Sequence, residues 1–398
     1  MKHTALALAA SSALALAGAA SAQEKEVKLG VLLSFTGPIE SLTPAMAGGA
    51  ELAMGEVSEA GTFLGGTTVT PVRGDATCID SGAATAAAER LVTSDGIVAM
   101  VGPDCSGVTA AVLANVAVPN GVVVVSPSAT SPSLTTAEDD GLFFRTAPSD
   151  ARQGVVMAEV LQGRDISSVA ITYTNNDYGK GLADAIESAF VELGGEVTIV
   201  AAHEDGKADY GAEVASLASA GGDALVVAGY VDQGGRGIIQ AALDTGAFDL
   251  FALPDGMIGP SLTDELGADI DGSFGTVPGA EGEGATKMAE LAEGAGVSMD
   301  GPYVGESYDA AALILLAMQA AGSTDAAEFA GSVEAVANAP GEKIYPGDLA
   351  RALEILEGGG DVDYDGATAV ELIDGGDTAG AYREVEVQDG AFETVEYR

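Results

Sequence analysis

Short apolar runs alternate with longer segments whose apolar residues recur at helical spacing, from residue 27 to about residue 254. The apolar runs predict strands at residues 27–34, 67–73, 97–101, 122–125, 169–173, 197–202, 224–228 and 250–253. The longer segments predict helices at residues 44–60, 82–93, 108–117, 150–161, 182–193, 210–220 and 237–244. Ser149 or Asp150 is the expected N-cap of the helix at 150–161. This alternation predicts an α/β fold with parallel sheets that helices cover on both faces.

The alternation is interrupted twice, which divides the chain into two units. Residues 143–148 predict a short extended connector, and a second series of strands and helices follows it. Residues 275–284 form a glycine-rich acidic connector. Beyond it the pattern predicts helices at 285–295, 308–321, 326–339 and 346–357, and strands at 369–373, 383–387 and 392–397. We therefore expect two doubly wound domains with extended crossings near residues 146–148 and 276–279.

Two neighbouring predicted strands end in segments rich in hydroxyl groups. GPDCSG, residues 102–107, follows the strand at 97–101, and SPSATSP, residues 126–132, follows the strand at 122–125. The next helix begins just after Ser106 and Gly107, which places free backbone N–H groups at the same edge. Ligands of open α/β sheets bind at this edge, and these donors suit a small anion such as a carboxylate. The alternative is a pair of ordinary loops, which contain the same residue types.

Three side chains of the second unit follow the carboxyl ends of predicted strands. Tyr178, Tyr230 and Asp255 lie on three separate loops. Such ends converge on one edge of a doubly wound sheet, so a carboxylate and two phenol rings are expected to meet there. This set suits a cation with an apolar body, and together with the hydroxyl-rich loops it suits an amino acid. The alternative is that the tyrosines pack at the rim of the sheet.

The charge balance changes the picture of the surface. The chain carries 60 acidic and 16 basic residues, and its formal net charge is −44. Such an excess would indicate disorder in a polar chain, but 47% of the residues are apolar and mean hydropathy is positive. We therefore expect a folded protein with an acidic surface, suited to salty surroundings that screen self-repulsion. Binding to nucleic acid or to an anionic membrane is not expected.

The N-terminus has the pattern of a secretory signal peptide. Lys2 and His3 precede an apolar core at residues 6–17, and an Ala-Ser-Ala site ends at Ala22. We expect residues 1–22 to be removed and the product to be exported to the periplasm. Cys78 and Cys105 are the two cysteines of the chain, and in an exported protein they are expected to form a disulfide, with two free thiols as the alternative.

Signatures of enzymes are mostly missing, so we expect a binding protein. Beyond the predicted signal peptide the chain has a single histidine, His203, which is predicted to lie in a surface loop. An exported amide or ester hydrolase remains as an alternative, with His203 as its base. Acidic residues at 361, 363 and 365 resemble the start of a calcium loop, but Leu372 stands where a chelating glutamate is needed. No metal or cofactor is expected.

The residues described above, taken together, resemble those of the periplasmic binding proteins for branched-chain amino acids, the leucine/isoleucine/valine-binding group of ABC importers. The resemblance covers nearly the whole chain after residue 22, and its strength lies in the joint order of short motifs. These motifs are LGVLLSFTGP (29–38), DATC (75–78), GPDCS (102–106), SPSATSP (126–132), FRT (144–146), NDYG (176–179), GY (229–230) and PDG (254–256).

The resemblance implies a type I periplasmic binding fold, in which two α/β lobes are joined by three crossings. It implies a signal peptide at 1–22, a first lobe of residues 23–146 plus 280–380, and a second lobe of residues 147–279 plus 381–398. The third crossing would lie near residues 380–383. It also implies a monomer that delivers a small amino acid to an inner-membrane ABC permease. The alternatives are a receptor of the same fold for urea, a short amide or an aromatic acid, and a sensory module.

The resemblance also assigns roles to individual residues. Ser106, Thr130 and backbone N–H groups would hold the ligand carboxylate, while Asp255, the Ser128 carbonyl and the Thr130 hydroxyl would face its ammonium. Tyr178 and Tyr230 would close over the ligand. The expected set of ligand-binding residues is Leu42, Ser106, Ser128, Ala129, Thr130, Tyr178, Tyr230 and Asp255.

Two departures from the family pattern bear on specificity. Leu42 stands where close leucine binders carry a tyrosine, and Glu40 and Ser41 place polar groups beside it. Asp255 replaces a longer glutamate. Both changes bear on the preference for branched side chains and leave the mode of binding intact.

Overall fold

The computed structural model describes residues 25–398, so the predicted signal peptide lies outside the described residues. Within this range the chain forms two large sheets and two small ribbons. The first sheet contains β1 (Glu26–Leu33), β2 (Thr68–Asp75), β3 (Ala99–Val101), β4 (Val123–Ser126) and β5 (Phe143–Arg145). Its order is β2-β1-β3-β4-β5, and every pair is parallel.

The second sheet combines a parallel core with an antiparallel C-terminal hairpin. Its core strands are β6 (Ser168–Thr174), β7 (Glu196–His203), β8 (Ala224–Ala228), β9 (Phe251–Leu253) and β10 (Phe274–Pro278). The small ribbons pair β11 (Glu342–Ile344) with β12 (Val362–Tyr364), and β13 (Leu372–Ile373) with β14 (Asp377–Thr378). The hairpin strands β15 (Tyr382–Gln388) and β16 (Ala391–Tyr397) then complete the order β16-β15-β10-β9-β8-β6-β7.

Helices cover the sheets, as the alternating pattern predicts. They are α1 (Thr43–Ala60), α2 (Ser81–Arg90), α3 (Ser106–Val112), α4 (Val118–Asn120), α5 (Asp150–Gly163), α6 (Asp177–Glu192), α7 (Gly211–Ala220), α8 (Gly234–Thr245), α9 (Pro260–Leu266), α10 (Glu283–Ala295), α11 (Val304–Ala321), α12 (Ala326–Phe329), α13 (Val333–Ala337) and α14 (Leu349–Glu357). Although α11 follows the second sheet in sequence, it packs against α1, β3 and β4 of the first lobe.

In this part of the chain the backbone passes between the lobes three times: between β5 and α5, between β10 and α10, and between β14 and β15. This arrangement confirms the predicted fold class, two α/β lobes with parallel sheets joined by three crossings. Crossings of this kind place the carboxyl ends of both sets of parallel strands on either side of one cleft.

Both predicted connectors contain a strand, and in this respect the prediction was wrong. Residues Phe143–Arg145 form the edge strand β5, which is buried along its length beside β4. Residues Phe274–Pro278 form β10, which lies between β9 and β15. Gly275 is needed there because a Cβ atom at this position would lie 2.1 Å from the Leu253 carbonyl oxygen. In the sequence, a glycine that a strand needs for close packing cannot be distinguished from a glycine of a loop.

Several predicted helices differ from the structure in their bounds, and two of them matter most here. Helix α6 begins at Asp177, five residues before the predicted start, because the Asn176 side chain caps it by accepting from the Gly179 N–H at 3.0 Å. Tyr178 therefore lies in the first turn of a helix and not on a loop. The helix predicted at 326–339 is broken into α12, a 3-10 turn at Ala330–Ser332 and α13.

The helices of residues 25–398 were also compared with the requirements of a membrane span. No single helix among them is both long and apolar enough to cross a membrane. The helices at Val304–Ala321 and Ala326–Ala337 meet the requirements only as a pair, and their axes are bent by 87°.

Candidate functional site

A small cavity lies between the lobes, at the carboxyl ends of the parallel strands. Its wall combines apolar side chains, hydroxyls and three phenol rings. The lining residues are Ile39, Leu42, Asp104, Cys105, Ser106, Ser128, Tyr178, Tyr230, Gly256 and Tyr303.

Five of the eight residues expected in the ligand site line this cavity, namely Leu42, Ser106, Ser128, Tyr178 and Tyr230. The other three, Ala129, Thr130 and Asp255, do not line it and are fully buried next to residues that do.

The first-lobe wall is a set of interlocked loops. The Ser106 Oγ accepts a hydrogen bond from the Ser131 N–H at 3.0 Å, and the Ser128 Oγ donates to the Asp104 carbonyl oxygen at 3.0 Å. These bonds join the loop after β3 to the loop after β4. The hydroxyls that the sequence places at two strand ends are therefore held in one wall.

Asp104 fastens this wall to β1, a role that the sequence did not suggest. Its carboxylate accepts from the Ser34 N–H at 2.6 Å, the Ser34 hydroxyl at 2.7 Å and the Cys105 N–H at 3.0 Å. Burial raises the pKa of Asp104 to about 6, although these bonds oppose the shift. The predicted disulfide is confirmed: it joins Cys105 of this loop to Cys78 after β2, with the two Cα atoms 5.2 Å apart.

Tyr178, Tyr230 and Asp255 of the second lobe converge as the strand ends predict. The rings of Tyr178 and Tyr230 are stacked, with centroids 5.2 Å apart and planes inclined by 17°. The Tyr178 hydroxyl donates to Asp255 Oδ1 at 2.6 Å, and the Gly256 N–H donates to the same oxygen at 2.8 Å. The Tyr230 hydroxyl accepts from the Asn176 amide at 3.2 Å.

Tyr303 was missed by the sequence reasoning. It directly precedes α11 and belongs to the first lobe, but its hydroxyl donates to Asp255 Oδ2 across the cleft. Its φ of 68° is unusual for an aromatic residue. Because the predicted helix begins only at residue 308, Tyr303 had no assigned place in the sequence analysis.

Asp150 is a second buried carboxylate of the site, and the sequence suggested it only as a helix cap. The Ser149 hydroxyl is the observed cap and accepts from the Ala151 N–H at 3.3 Å. Asp150 donates its N–H to the Thr130 carbonyl oxygen at 2.8 Å. Burial raises the pKa of Asp150 well above its ordinary value, and the nearby charge of Asp255 raises it further.

Asp150 and Asp255 belong to a buried group of polar side chains, which we call the inner polar cluster. Its members are Thr130, Asp150, Gln153, Asp255 and Tyr382. Among residues 25–398, no hydrogen-bond partner exists for either Asp150 oxygen, the Thr130 hydroxyl, Gln153 Oε1 or the Tyr382 hydroxyl. Buried polar atoms are nearly always satisfied, and most of these atoms are acceptors. The cluster is therefore suited to a ligand group that donates several hydrogen bonds.

A clasp of hydrogen bonds holds the two lobes together at the rim of the cleft. Asp232 of the second lobe accepts from the Ser41 N–H at 2.8 Å, and its own N–H donates to the Pro38 carbonyl at 3.0 Å. Ser261 donates to Asp232 Oδ1 at 2.7 Å and lies 3.3 Å from the Ser41 hydroxyl. Ser41 thus serves the clasp, and the exposed Glu40 accepts from the Gly37 N–H. Neither residue is among those that line the cavity.

His203 is buried, so its predicted position in a surface loop was wrong. It ends β7, and its Nδ1 lies 2.8 Å from the Thr172 hydroxyl. Burial lowers its pKa to about 4. Its neighbours include the edge of the Tyr210 ring and backbone near Gly234. Its hydroxyl partner, Thr172, is fully buried as well, so this pair is not accessible to a substrate as a nucleophile and its base.

The acidic segment near residue 361 has a structural role. Asp363 lies on β12, and Asp365 pairs with Lys343 at 2.7 Å. In the described part of the chain, no group of three histidine, cysteine or acidic side chains is arranged to hold a metal ion.

The geometry agrees with comparisons to known proteins. Residues 26–351 match the sequence pattern of the family described as periplasmic binding protein. The chain belongs to the periplasmic binding protein family. Its relatives and structural neighbours are binding proteins and not enzymes, which confirms the interpretation drawn from the sequence.

The relatives named below are identical to this chain at about a third or fewer of the aligned positions. A leucine/isoleucine/valine-binding protein homologue of Brucella melitensis is 35% identical over 55% of this chain and 58% of its own length. The chemotactic signal-transduction substrate-binding protein BasB of Halobacterium salinarum is 29% identical over 78% of this chain and 75% of its own. A leucine-, isoleucine-, valine-, threonine- and alanine-binding protein of Pseudomonas aeruginosa is 26% identical over 82% of this chain and 87% of its own.

Solved structures share the fold. The leucine-binding protein LivK of Thermotoga maritima superposes with a TM-score of 0.77 at 23% identity and covers 93% of this chain and 98% of its own. A solute-binding protein of Rhodopseudomonas palustris, solved in complex with benzoate, gives 0.76 at 18% identity, with 94% and 96% covered. At these identities the likeness concerns the fold alone.

Proposed function

We propose that this protein is a periplasmic receptor that binds a neutral α-amino acid, of the size of leucine or valine, and delivers it to an ABC importer. One observation carries the proposal: the Ser106 hydroxyl lines a cavity that is also lined by Tyr178 and Tyr303, whose hydroxyls donate to the buried carboxylate of Asp255. A zwitterion with an apolar side chain complements such a site.

The carboxylate end of the ligand is assigned to the first lobe. Ser106 and Ser128 line the cavity there. The Ser106 oxygen accepts from the Ser131 N–H, so its own O–H can donate to a carboxylate, whereas the Ser128 O–H is donated to the Asp104 carbonyl. The disulfide and the Asp104 contacts hold their loops before the ligand arrives, which lowers the cost of ordering them on binding. Ala129 contributes through its backbone, since its carbonyl accepts from Arg145 at 3.1 Å and keeps the loop in position.

The ammonium end is assigned to the inner polar cluster. Asp255 supplies the charge, and the buried hydroxyl of Thr130, whose carbonyl accepts from the Asp150 N–H, is an acceptor in the same cluster. Tyr178 and Tyr303 donate to Asp255 from opposite lobes, so ligand binding and closure of the cleft would involve the same carboxylate. An aromatic acid without an amine would leave this cluster unsatisfied, which favours an amino acid over benzoate-like ligands.

The side chain of the ligand is assigned to the apolar part of the wall. Ile39 and Leu42 line it, and the ring of Tyr230 closes it. These apolar surfaces suit an aliphatic side chain. Transport would then follow from recognition of the closed, ligand-bound form by the permease.

A sensory role is the second candidate, and the similarity to the chemotactic substrate-binding protein of Halobacterium salinarum favours it. Both roles use the same site and the same closure. Genes for a permease and an ATPase beside this one would favour import, whereas a neighbouring chemoreceptor gene would favour sensing.

The test is isothermal titration of the secreted protein with amino acids, urea, a short amide and 4-hydroxybenzoate. Binding of one or more neutral amino acids at micromolar or lower Kd, without binding of 4-hydroxybenzoate, is expected. Binding of 4-hydroxybenzoate but of no amino acid would contradict the assignment of the ammonium end.

A further inference from the structure

A second cavity, which we call the hinge cavity, lies where the second and third crossings pass between the lobes. It is bordered by the chain after β10, the start of α11, the segment before β13 and the C-terminal hairpin. Its volume is about 270 Å³, which suits a molecule smaller than most drug-sized ligands. Tyr303 lines both this cavity and the one described above, so it lies between them.

A buried carboxylate without a partner belongs to the wall of the hinge cavity. Glu306 lies in the first turn of α11, on the first lobe, and is only 4% exposed. Among the described residues, the one donor that faces its carboxylate is its own N–H. Burial raises the pKa of Glu306 to about 8; the charge of Asp309 raises it further, and that of Arg383 opposes the shift. An ionised group in such a place is costly until a donor or a cation pairs with it.

A guanidinium with unused donors belongs to the same wall. Arg383 lies on β15, in the second lobe, and its side chain packs on Gly279, where a Cβ atom would lie 2.9 Å from the Arg383 Nε. Its Nη1 donates to the Thr394 hydroxyl at 3.2 Å. In residues 25–398 no carboxylate forms an ion pair with it, Glu306 included, so most of its five N–H donors remain available.

The remainder of the wall is mainly apolar and reaches the surface. Met288 and Val304 are buried, whereas Met299 and Tyr397 are each 38% exposed and lie at the mouth of the cavity. A small molecule can therefore enter from solvent and place an apolar body between the two charged groups.

We propose that the hinge cavity is a second ligand site, which takes a small zwitterion by pairing its ammonium with Glu306 and its carboxylate with Arg383. A ligand with a single charge would leave one of the two groups unpaired, which favours a zwitterion. Because Glu306 belongs to the first lobe and Arg383 to the second, the bound molecule would bridge the lobes at the hinge. The site is separate from the cavity of the proposed function and does not depend on it.

The methyl groups of Met288 and Met299 are reporters for the hinge cavity. Protein labelled with carbon-13 at its methionine methyl groups is titrated with glycine, β-alanine and 4-aminobutanoate, which separate the two charges by increasing distances. NMR spectra are recorded at about pH 8.5, above the pKa of Glu306, so that its carboxylate is ionised. Met288→Leu and Met299→Leu assign the two signals. We expect at least one probe to shift both signals saturably below about 10 mM, and no shift with any probe would overturn the proposal.

Two probes with one charge each test the zwitterion. Propylamine and propionate keep the ammonium or the carboxylate of β-alanine on a chain of the same length. Each should need an about tenfold or higher concentration for half of the shift than the best zwitterion. Equally strong binding of propylamine would make the hinge cavity a site for simple cations, and equally strong binding of propionate a site for anions; either result would overturn the proposal.

Three variants place the bound probe. Glu306→Gln and Arg383→Gln each remove one charge, and each should raise the half-saturation concentration about tenfold or more. Asp255→Asn is the matched control in the other cavity and should leave this value within about twofold. Thermal scans show whether each variant is folded. An unchanged shift in folded Glu306→Gln and Arg383→Gln, or a shift lost only in Asp255→Asn and thus transmitted through Tyr303, would overturn the hinge site.

Discussion

The substitution Asp255→Asn separates the charge of the inner polar cluster from its shape. Asparagine keeps the volume of the side chain and can still accept from Tyr178, which donates at 2.6 Å. It removes the negative charge that we assign to the ligand ammonium in a fully buried place. Truncating one partner of a buried charge pair costs about 2–5 kcal/mol of binding free energy. Because Asp150 remains nearby, we expect the lower part of this range, about 2–4 kcal/mol.

This cost corresponds to a loss of affinity of roughly 30- to 700-fold, since about 1.4 kcal/mol is a factor of ten. Titration calorimetry with the best amino acid measures it. Asp309→Asn is the matched control, because Asp309 is equally buried but bonds to Tyr364 and the Ala367 N–H in the first lobe. The control should lower thermal stability and keep Kd within about twofold. An unchanged affinity in Asp255→Asn would refute the assignment of the ammonium end.

Three further predictions concern the scaffold around the site. Reduction of Cys78–Cys105, a sequence separation of 27, should remove about 3–4 kcal/mol of stability and lower the Tm more than it weakens binding; an unchanged Tm in a thermal scan would contradict this. Asp232→Ala removes the hydrogen bonds of the clasp and should weaken ligand binding by about 3- to 30-fold, because the ligand dissociates faster. Stopped-flow measurements of the dissociation rate check this. A slower association with an unchanged dissociation rate would contradict the role of the clasp. Burial lowers the pKa of His203 to about 4, so between this pH and about 6.5 the unfolded chain binds a proton that the folded chain does not. The contribution of neutral His203 to folding stability is therefore present above about pH 6.5 and is lost as the pH falls towards 4. The total loss is about 3 kcal/mol of the free energy of unfolding. In His203→Gln this part of the acid sensitivity should vanish in denaturant titrations across this pH range, and persistence of the full dependence would place it elsewhere.

The strand ends of the second lobe show what the sequence could predict. Tyr178, Tyr230 and Asp255 follow apolar runs, and parallel strands bring such positions to one edge. The rule needs only the order of elements, so it placed the side chains correctly although α6 begins five residues before its predicted start. The hydroxyls of Ser106 and Ser128 were placed by the same rule.

Tyr303 and Asp150 show why the rest of the site could not be predicted. Tyr303 reaches Asp255 from the other lobe after a crossing, in a positive-φ conformation that has no signature in an aromatic residue. Asp150 follows Ser149 at a helix start, where an acidic residue is ordinarily explained by capping and by the helix dipole. The burial of His203 could not be predicted either. A His-Glu-Asp-Gly segment is typical of a surface loop, and only the pairing of β7 with β6 shows that its first residue belongs to a strand.

The central claim is that the ammonium of an amino acid lies in the inner polar cluster and its carboxylate against the first-lobe hydroxyls. A crystal structure of the protein with the tightest-binding amino acid tests this most directly. We predict the ligand nitrogen within hydrogen-bonding distance of Asp255 and Thr130, and the ligand carboxylate within hydrogen-bonding distance of the Ser106 hydroxyl. A ligand that lies in the reverse orientation, or whose amine is placed away from Asp255, would contradict the account.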